Sequence, residues 1–276
     1  MPKVLSNGVS LWYNVTGTGM PIVTIGGFGL LHNQWDSVNP YLEKHHRVVN
    51  WNYRGSGKSD WTMSEPFTVE QFVEDLRAVL DDAGIDKTTI WGTGTGSPIG
   101  IRFAAKYSDR VHALITYPWF RCDETWKDIF RVSYEIARTF GLLSLGRVHA
   151  GVTLPRDVLY AKEGLEFEHL EIKYYETNLN PRTLDSLMAA FSNVDLTSDV
   201  ARLRCPTLLL MGNESQLINE QSLKSASFSA LVQGFKELKP DVEVAAVAGA
   251  STTACVVTRP KESAEIVLDY LRRING

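Results

Sequence analysis

Apolar positions along the chain fall into short runs separated by glycine, and the runs differ in period. Residues 9–15 alternate apolar and polar as a half-buried strand does, and Gly17-Thr18-Gly19 closes them. Residues 21–25 form a continuous apolar run, the pattern of a strand buried on both faces, and end in Gly26-Gly27-Phe28-Gly29. Residues 46–51 predict the next strand. Thr68 and Gln71 form a capping box, and behind it Val69, Phe72, Val73, Leu76, Val79 and Leu80 share one helix face until Gly84 stops it. Residues 88–91 are a further strand running straight into a glycine cluster. The positions after it, Ile99, Ile101, Phe103, Ala104, Ala105 and Tyr107, fit a buried helix. Residues 111–117 read as one more strand.

From 118 to 200 the rhythm changes, and helical patterns dominate, as over 129–140 and 184–191. Strands return at 206–212 and 242–247, and an amphipathic helix over 260–274 closes the chain. Strands alternating with helices predict an α/β fold with a mostly parallel sheet and right-handed crossovers. The expected organisation is a core over 1–117, an inserted helical cap over 118–200, and the rest of the core over 201–276. Neither an internal repeat nor a low-complexity segment interrupts this plan.

Composition narrows the function classes. A chain of 276 residues that is 44% hydrophobic can bury a large core. Net charge is −4, the isoelectric point is near 5.9, and no long basic run occurs, so neither nucleic acid nor an anionic membrane is the expected partner. No apolar run has transmembrane length, and the first residues lack the apolar core of a signal peptide. Three cysteines at unrelated spacings (Cys122, Cys205, Cys255) suit a reducing cytoplasm and carry no metal signature. No cofactor is expected, and a homodimer is left open.

Strand, sharp glycine turn, helix is the setting of a nucleophile elbow, Gly-x-Ser-x-Gly. Gly92 and Gly96 supply its outer glycines, which puts Gly94 at the nucleophile position. Gly26-Gly27-Phe28-Gly29 looks like a His-Gly-x-Gly oxyanion loop with Gly26 for the histidine. Residues 52–59, Asn-Tyr-Arg-Gly-Ser-Gly-Lys-Ser, look like Asp-x-Arg-Gly-x-Gly-x-Ser with Asn52 for the aspartate. Residues 103–111 match the usual end of the elbow helix. On these motifs, in this order, the chain resembles the α/β-hydrolases along nearly its whole length, the cap by position only.

That resemblance implies a serine nucleophile, a histidine base and an orienting acid. The acid position falls on Ser215, with Glu214 one residue early. The base position falls on Thr253 counting back from Pro260, or on Thr252 counting on from Gly249, and no histidine follows His169. All three members are therefore absent at Gly94, Ser215 and Thr252/Thr253. Gly94 is also what a strained elbow backbone prefers in its own right. Without a histidine to orient, Glu214 reads as a solvated loop carboxylate. Cys255, with no identifiable base, reads as a small buried filler. Gly57-Lys58-Ser59 lacks the first glycine of a phosphate loop. The glycines from 92 to 96 lack the third of a dinucleotide fingerprint.

What the resemblance leaves intact is backbone. The family's oxyanion donors correspond to the N–H groups of Phe28 and Thr95. His32, Trp35, Trp119, Phe120 and Trp126 are the expected lining of an apolar pocket. The expected function is non-hydrolytic chemistry of lyase, isomerase or cyclase type on a largely apolar small molecule bearing a carbonyl, carboxylate or phenolate oxygen. The alternative is a non-catalytic small-molecule receptor or protein-interaction module. The Gly-x-Gly-x-Gly elbow resembles that of the N-myc downstream-regulated proteins, a non-catalytic branch of the fold.

Overall fold

The computed structural model describes residues 3–61, 67–153, 173–175, 177–214, 228–251 and 255–276. Its strands are β1 (Lys3–Ser6), β2 (Val9–Thr16), β3 (Met20–Ile25), β4 (His46–Trp51), β5 (Thr88–Gly92), β6 (Val111–Thr116), β7 (Thr207–Glu214) and β8 (Glu243–Ser251). They form one sheet in the order β1-β2-β4-β3-β5-β6-β7-β8. β1 and β2 pair antiparallel, as do β2 and β4, and every later pairing is parallel. The parallel strands need crossovers, and the helices supply them: α1 (Asn39–Leu42), α2 (Val69–Asp82), α3 (Gly96–Lys106), α4 (Glu124–Phe140), α5 (Leu142–Thr153), α6 (Pro181–Ser192), α7 (Thr197–Ala201), α8 (Phe228–Leu238), α9 (Cys255–Thr258) and α10 (Pro260–Asn275).

The continuous apolar runs are explained by two core layers, one on each side of the sheet. Successive residues of a strand point to opposite faces. Thus Val23, Val49, Ile90, Leu114 and Leu209 enter the layer with α2 and α3. Their neighbours Ile22, Val48, Trp91, Ile115 and Leu208 enter the layer with α1 and α10. Thr68 caps α2 as expected: the Gln71 N–H donates to its hydroxyl at 3.1 Å. Glu214 is the last residue of β7 rather than part of a loop.

One buried ion pair locks the sheet edge to the first long helix. The Arg54 guanidinium donates through Nε and Nη2 to both oxygens of Asp75, at 2.7 and 2.5 Å, and Ser6 Oγ donates to the same carboxylate at 2.7 Å. Both charged side chains are almost wholly excluded from solvent, so removing one partner would strand the other in a dry interior. Among the described residues no helix is long and apolar enough to cross a membrane.

Candidate functional site

The site is built where β3 and β5 end side by side. β3 runs into the loop beginning Gly26-Gly27-Phe28-Gly29, and β5 runs into Thr93-Gly94-Thr95 before α3 starts at Gly96. The Thr93 N–H donates to the Ile25 carbonyl at 3.1 Å, which carries the strand pairing one step into the turn. Gly94 has φ +51°, in the left-handed region where a Cβ is strained. Among the described residues, a Cβ built there would meet only the Gly27 Cα, at 3.3 Å. The flanking glycines are needed for a different reason. A Cβ on Gly92 would lie 2.7 Å from the Gly96 carbonyl oxygen, and one on Gly96 would lie 2.2 Å from that of Ile25. Strand and helix can approach this closely only without side chains at both positions.

The side chain of Gln34 joins the two turns. Its Oε1 accepts from the Gly27 N–H at 2.7 Å and from the Thr93 hydroxyl at 3.1 Å. Gly27 and Gly94 lie close together, so the next residues, Phe28 and Thr95, belong to adjoining turns. Neither residue's N–H has a backbone partner among the described residues. Thr95 also caps the N-terminus of α3, where the helix dipole adds positive potential for an oxygen. Gln34 left no trace in the sequence patterns, because nothing local distinguishes it from any loop glutamine.

Residues following α5 hold both loops from above. Asn178 Nδ2 donates to the Gly29 carbonyl at 3.0 Å, and the Asn178 carbonyl accepts from the Gly57 N–H at 2.8 Å. Thr183 Oγ1 donates to the Gly55 carbonyl at 2.8 Å. The Tyr175 ring packs edge-on to Phe28, with centroids 6.0 Å apart. Trp119 and Trp126 pack together at 5.2 Å, and Trp119 also meets Phe191 of α6 at 6.1 Å. Both indole N–H groups are buried without a hydrogen-bond partner among the described residues. Phe120 is buried beside them and meets Phe235 of α8 edge-on. Trp119 and Phe120 thus pack against α6 and α8, with Trp126 of α4 beside Trp119.

Two expected lining residues lie elsewhere. Trp35 is fully buried in the opposite core layer, edge-on to Trp91 at 5.0 Å, because the 3-10 turn Leu31–Trp35 rotates it under the sheet. His32 is not at a pocket mouth but buried against Trp12, with ring centroids 4.5 Å apart. Asn52 Nδ2 donates to its Nδ1 at 2.9 Å, so the ring proton is on Nε2, which has no partner among the described residues. Burial first, then the charge of Lys58, pushes the His32 pKa down to about 4, so the ring is neutral at pH 7. Asn52, standing for the family's aspartate, holds its own turn by accepting from the Lys58 N–H at 3.1 Å.

The remaining positions divide cleanly. Ser97 turns into α3 and the sheet: its Oγ donates to the Gly92 carbonyl at 3.3 Å and accepts from the Tyr117 N–H at 3.2 Å. Cys255 is buried, and burial pushes its thiol up to about 11, which leaves it neutral and unreactive. Ser215, Thr252 and Thr253 lie outside the described residues. Among the described residues no cluster of three or more His, Cys, Asp or Glu is arranged to hold a metal.

Comparison with known proteins agrees with this fold. A family model described as alpha/beta hydrolase fold matches residues 20–239. The chain is 25% identical to "Putative carbamate hydrolase RutD" of Azorhizobium caulinodans over 276 residues, the whole of both chains. Among solved structures, the enol-lactonase from Burkholderia xenovorans LB400 superposes with a TM-score of 0.83 at 20% identity, covering 98% of this chain and 100% of that one. The meta-cleavage product hydrolase from Pseudomonas fluorescens IP01 superposes with a TM-score of 0.77 at 18% identity, covering 99% and 98%.

Proposed function

Because the chain belongs to the alpha/beta hydrolase fold family, we propose that it is an enzyme of that family working without a serine nucleophile, on a largely apolar small molecule with a carbonyl oxygen. The observation that carries this reading is Gly94 at the apex of the elbow, beside the N–H groups of Phe28 and Thr95, which have no backbone partner among the described residues. A glycine has nothing with which to attack a carbonyl, so no acyl-enzyme forms there. The two donors still polarise a carbonyl held against them. They bind its oxygen more strongly as negative charge builds up on it, which is the requirement for stabilising an enolate or alkoxide. Lyase, isomerase and cyclase reactions pass through such charge. The hydrolase names of its relatives support an enzyme more than a scaffold. A receptor holding the same molecule without turnover is the second reading, and Gly94 favours it equally.

The test is a fluorophosphonate probe together with p-nitrophenyl acetate and butyrate. Neither serine labelling nor ester turnover is expected. Stoichiometric labelling of one serine, lost on its replacement by alanine, would overturn the reading.

A further inference from the structure

We propose that the open edge of β8 pairs antiparallel with β8 of a second copy of this chain, joining two sheets into one across a twofold axis at Ala246. β8 ends the strand order, and among the described residues nothing pairs with its outer side. Alternate residues of an edge strand point their N–H and C=O groups outward, ready to bond another strand. Native proteins blunt such an edge with a short strand, a charge, a proline or a bulge. The opposite edge is treated that way: β1 has four residues and carries Lys3, which pairs with Asp60 at 3.6 Å. β8 is nine residues long, reads Glu-Val-Ala-Ala-Val-Ala-Gly-Ala-Ser, and has Glu243 as its single charge. Its pairing with β7 runs without a break from Glu243 to Val247. The straight stretch ends at Gly249, whose φ is +65°.

The side chains fit a copy of themselves. Val244, Ala246 and Ala248 share one face and are exposed, Val244 to 40%. They make an uncharged stripe with a small residue at its centre. Ala245 and Val247 point the other way, into the core layer with α10. An antiparallel pair of identical strands is its own twofold partner, so one strand serves both copies. Ala246 is the midpoint of 243–249, and placing it opposite itself sets Val244 against Ala248 and Glu243 against Gly249. That register also matches charge. Glu243 lies on the α10 face, where Arg273 Nη2 donates to it at 2.8 Å. At the other end of the strand, a Cβ on Gly249 would lie 3.5 Å from Nη2 of Arg259, the residue that leads into α10. Arg259 is half-buried, and among the described residues its guanidinium donates only to the Thr258 carbonyl, at 3.2 Å. The dimer brings the Glu243 carboxylate of each copy to the Arg259 guanidinium of the other, which otherwise has no carboxylate.

The test is sedimentation velocity of the full-length protein over a range of concentrations, together with thiol cross-linking. Wild type should sediment at twice the 30.8 kDa of one chain. Ala246→Lys sets two like charges opposite each other, and should sediment as a monomer with an unchanged far-UV circular dichroism spectrum. Arg259→Gln removes two ion pairs at once by symmetry, and should raise the dimer Kd about five- to thirtyfold. In a Cys122→Ser background, Ala246→Cys should give a disulfide-linked dimer on mild oxidation, because directly opposed residues of an antiparallel pair have Cα atoms about 4.5–5.5 Å apart. Ala248→Cys, opposite Val244, should not. A wild type that stays monomeric at every concentration refutes the proposal, and so does a dimer that survives Ala246→Lys. Cross-linking through Ala248→Cys but not Ala246→Cys refutes the twofold at Ala246. None of these outcomes bears on the proposed function, which rests on the elbow at Gly94.

Discussion

Placing a side chain at position 94 tests the elbow directly. Gly94→Ala puts a Cβ into a backbone at φ +51°, 3.3 Å from the Gly27 Cα. The left-handed conformation costs a residue with Cβ about 1–2 kcal/mol. The unfolded chain loses freedom in the same substitution, which returns about 0.4–1 kcal/mol. The net expectation is a destabilisation of about 1 kcal/mol, or a fall in melting temperature of about 2–4 °C for a chain of this size. Gly92→Ala and Gly96→Ala are the internal controls. Their new Cβ atoms would meet backbone oxygens at 2.7 and 2.2 Å, and these cannot swing aside. Both should cost about 3 kcal/mol or more, Gly96→Ala the most. Gly94→Ser should behave like Gly94→Ala in stability and gain no esterase activity, since a hydroxyl with no base remains protonated and a poor nucleophile. Thermal melts and urea titrations of the four variants, with fluorophosphonate labelling of Gly94→Ser, make the measurement. An unchanged or raised midpoint for Gly94→Ala, or controls no worse than it, would refute the strained-elbow argument.

Gln34→Leu removes the acceptor shared by the Gly27 N–H and the Thr93 hydroxyl, leaving two buried donors unpaired. It should cost about 2–4 kcal/mol in urea denaturation, and an unchanged midpoint would show that the shared acceptor does not hold the two turns together. His32 supplies a pH dependence. Its pKa falls from 6.5 when unfolded to about 4 when folded, so below pH 6.5 the unfolded state binds a proton that the folded state refuses. Stability should therefore drop as pH falls from about 6.5 to 4, by about 3 kcal/mol in all. His32→Gln should flatten that part of the profile in urea midpoints taken at pH 7.5, 5.5 and 4.5; a wild-type slope retained in the variant would assign it to other groups.

Much of this architecture is written in local pattern. A run such as residues 21–25 is apolar at every other position twice over, and only a strand between two core layers uses both sets. Glycines at 92, 94 and 96 between a strand and a helix predict a tight turn, and β5 and α3 make one: 92 and 96 lack room for a side chain, and 94 has a positive φ. The absence of a side chain at the apex is likewise a property of the chain itself. Residues in irregular turns have no period from which a face can be read. Trp35 and His32 both belong to the turn after the oxyanion loop, and only the packing of that turn against β4 and α9 sends one under the sheet and the other against Trp12. The groups that give the site its character are also distant in sequence. Gln34 reaches Thr93 across 59 residues, and Asn178 closes over Gly29. Neither of these pairs shares a helix turn or a strand register. Their meeting is decided by the order of strands in the sheet, which sets β4, β3 and β5 side by side in its interior.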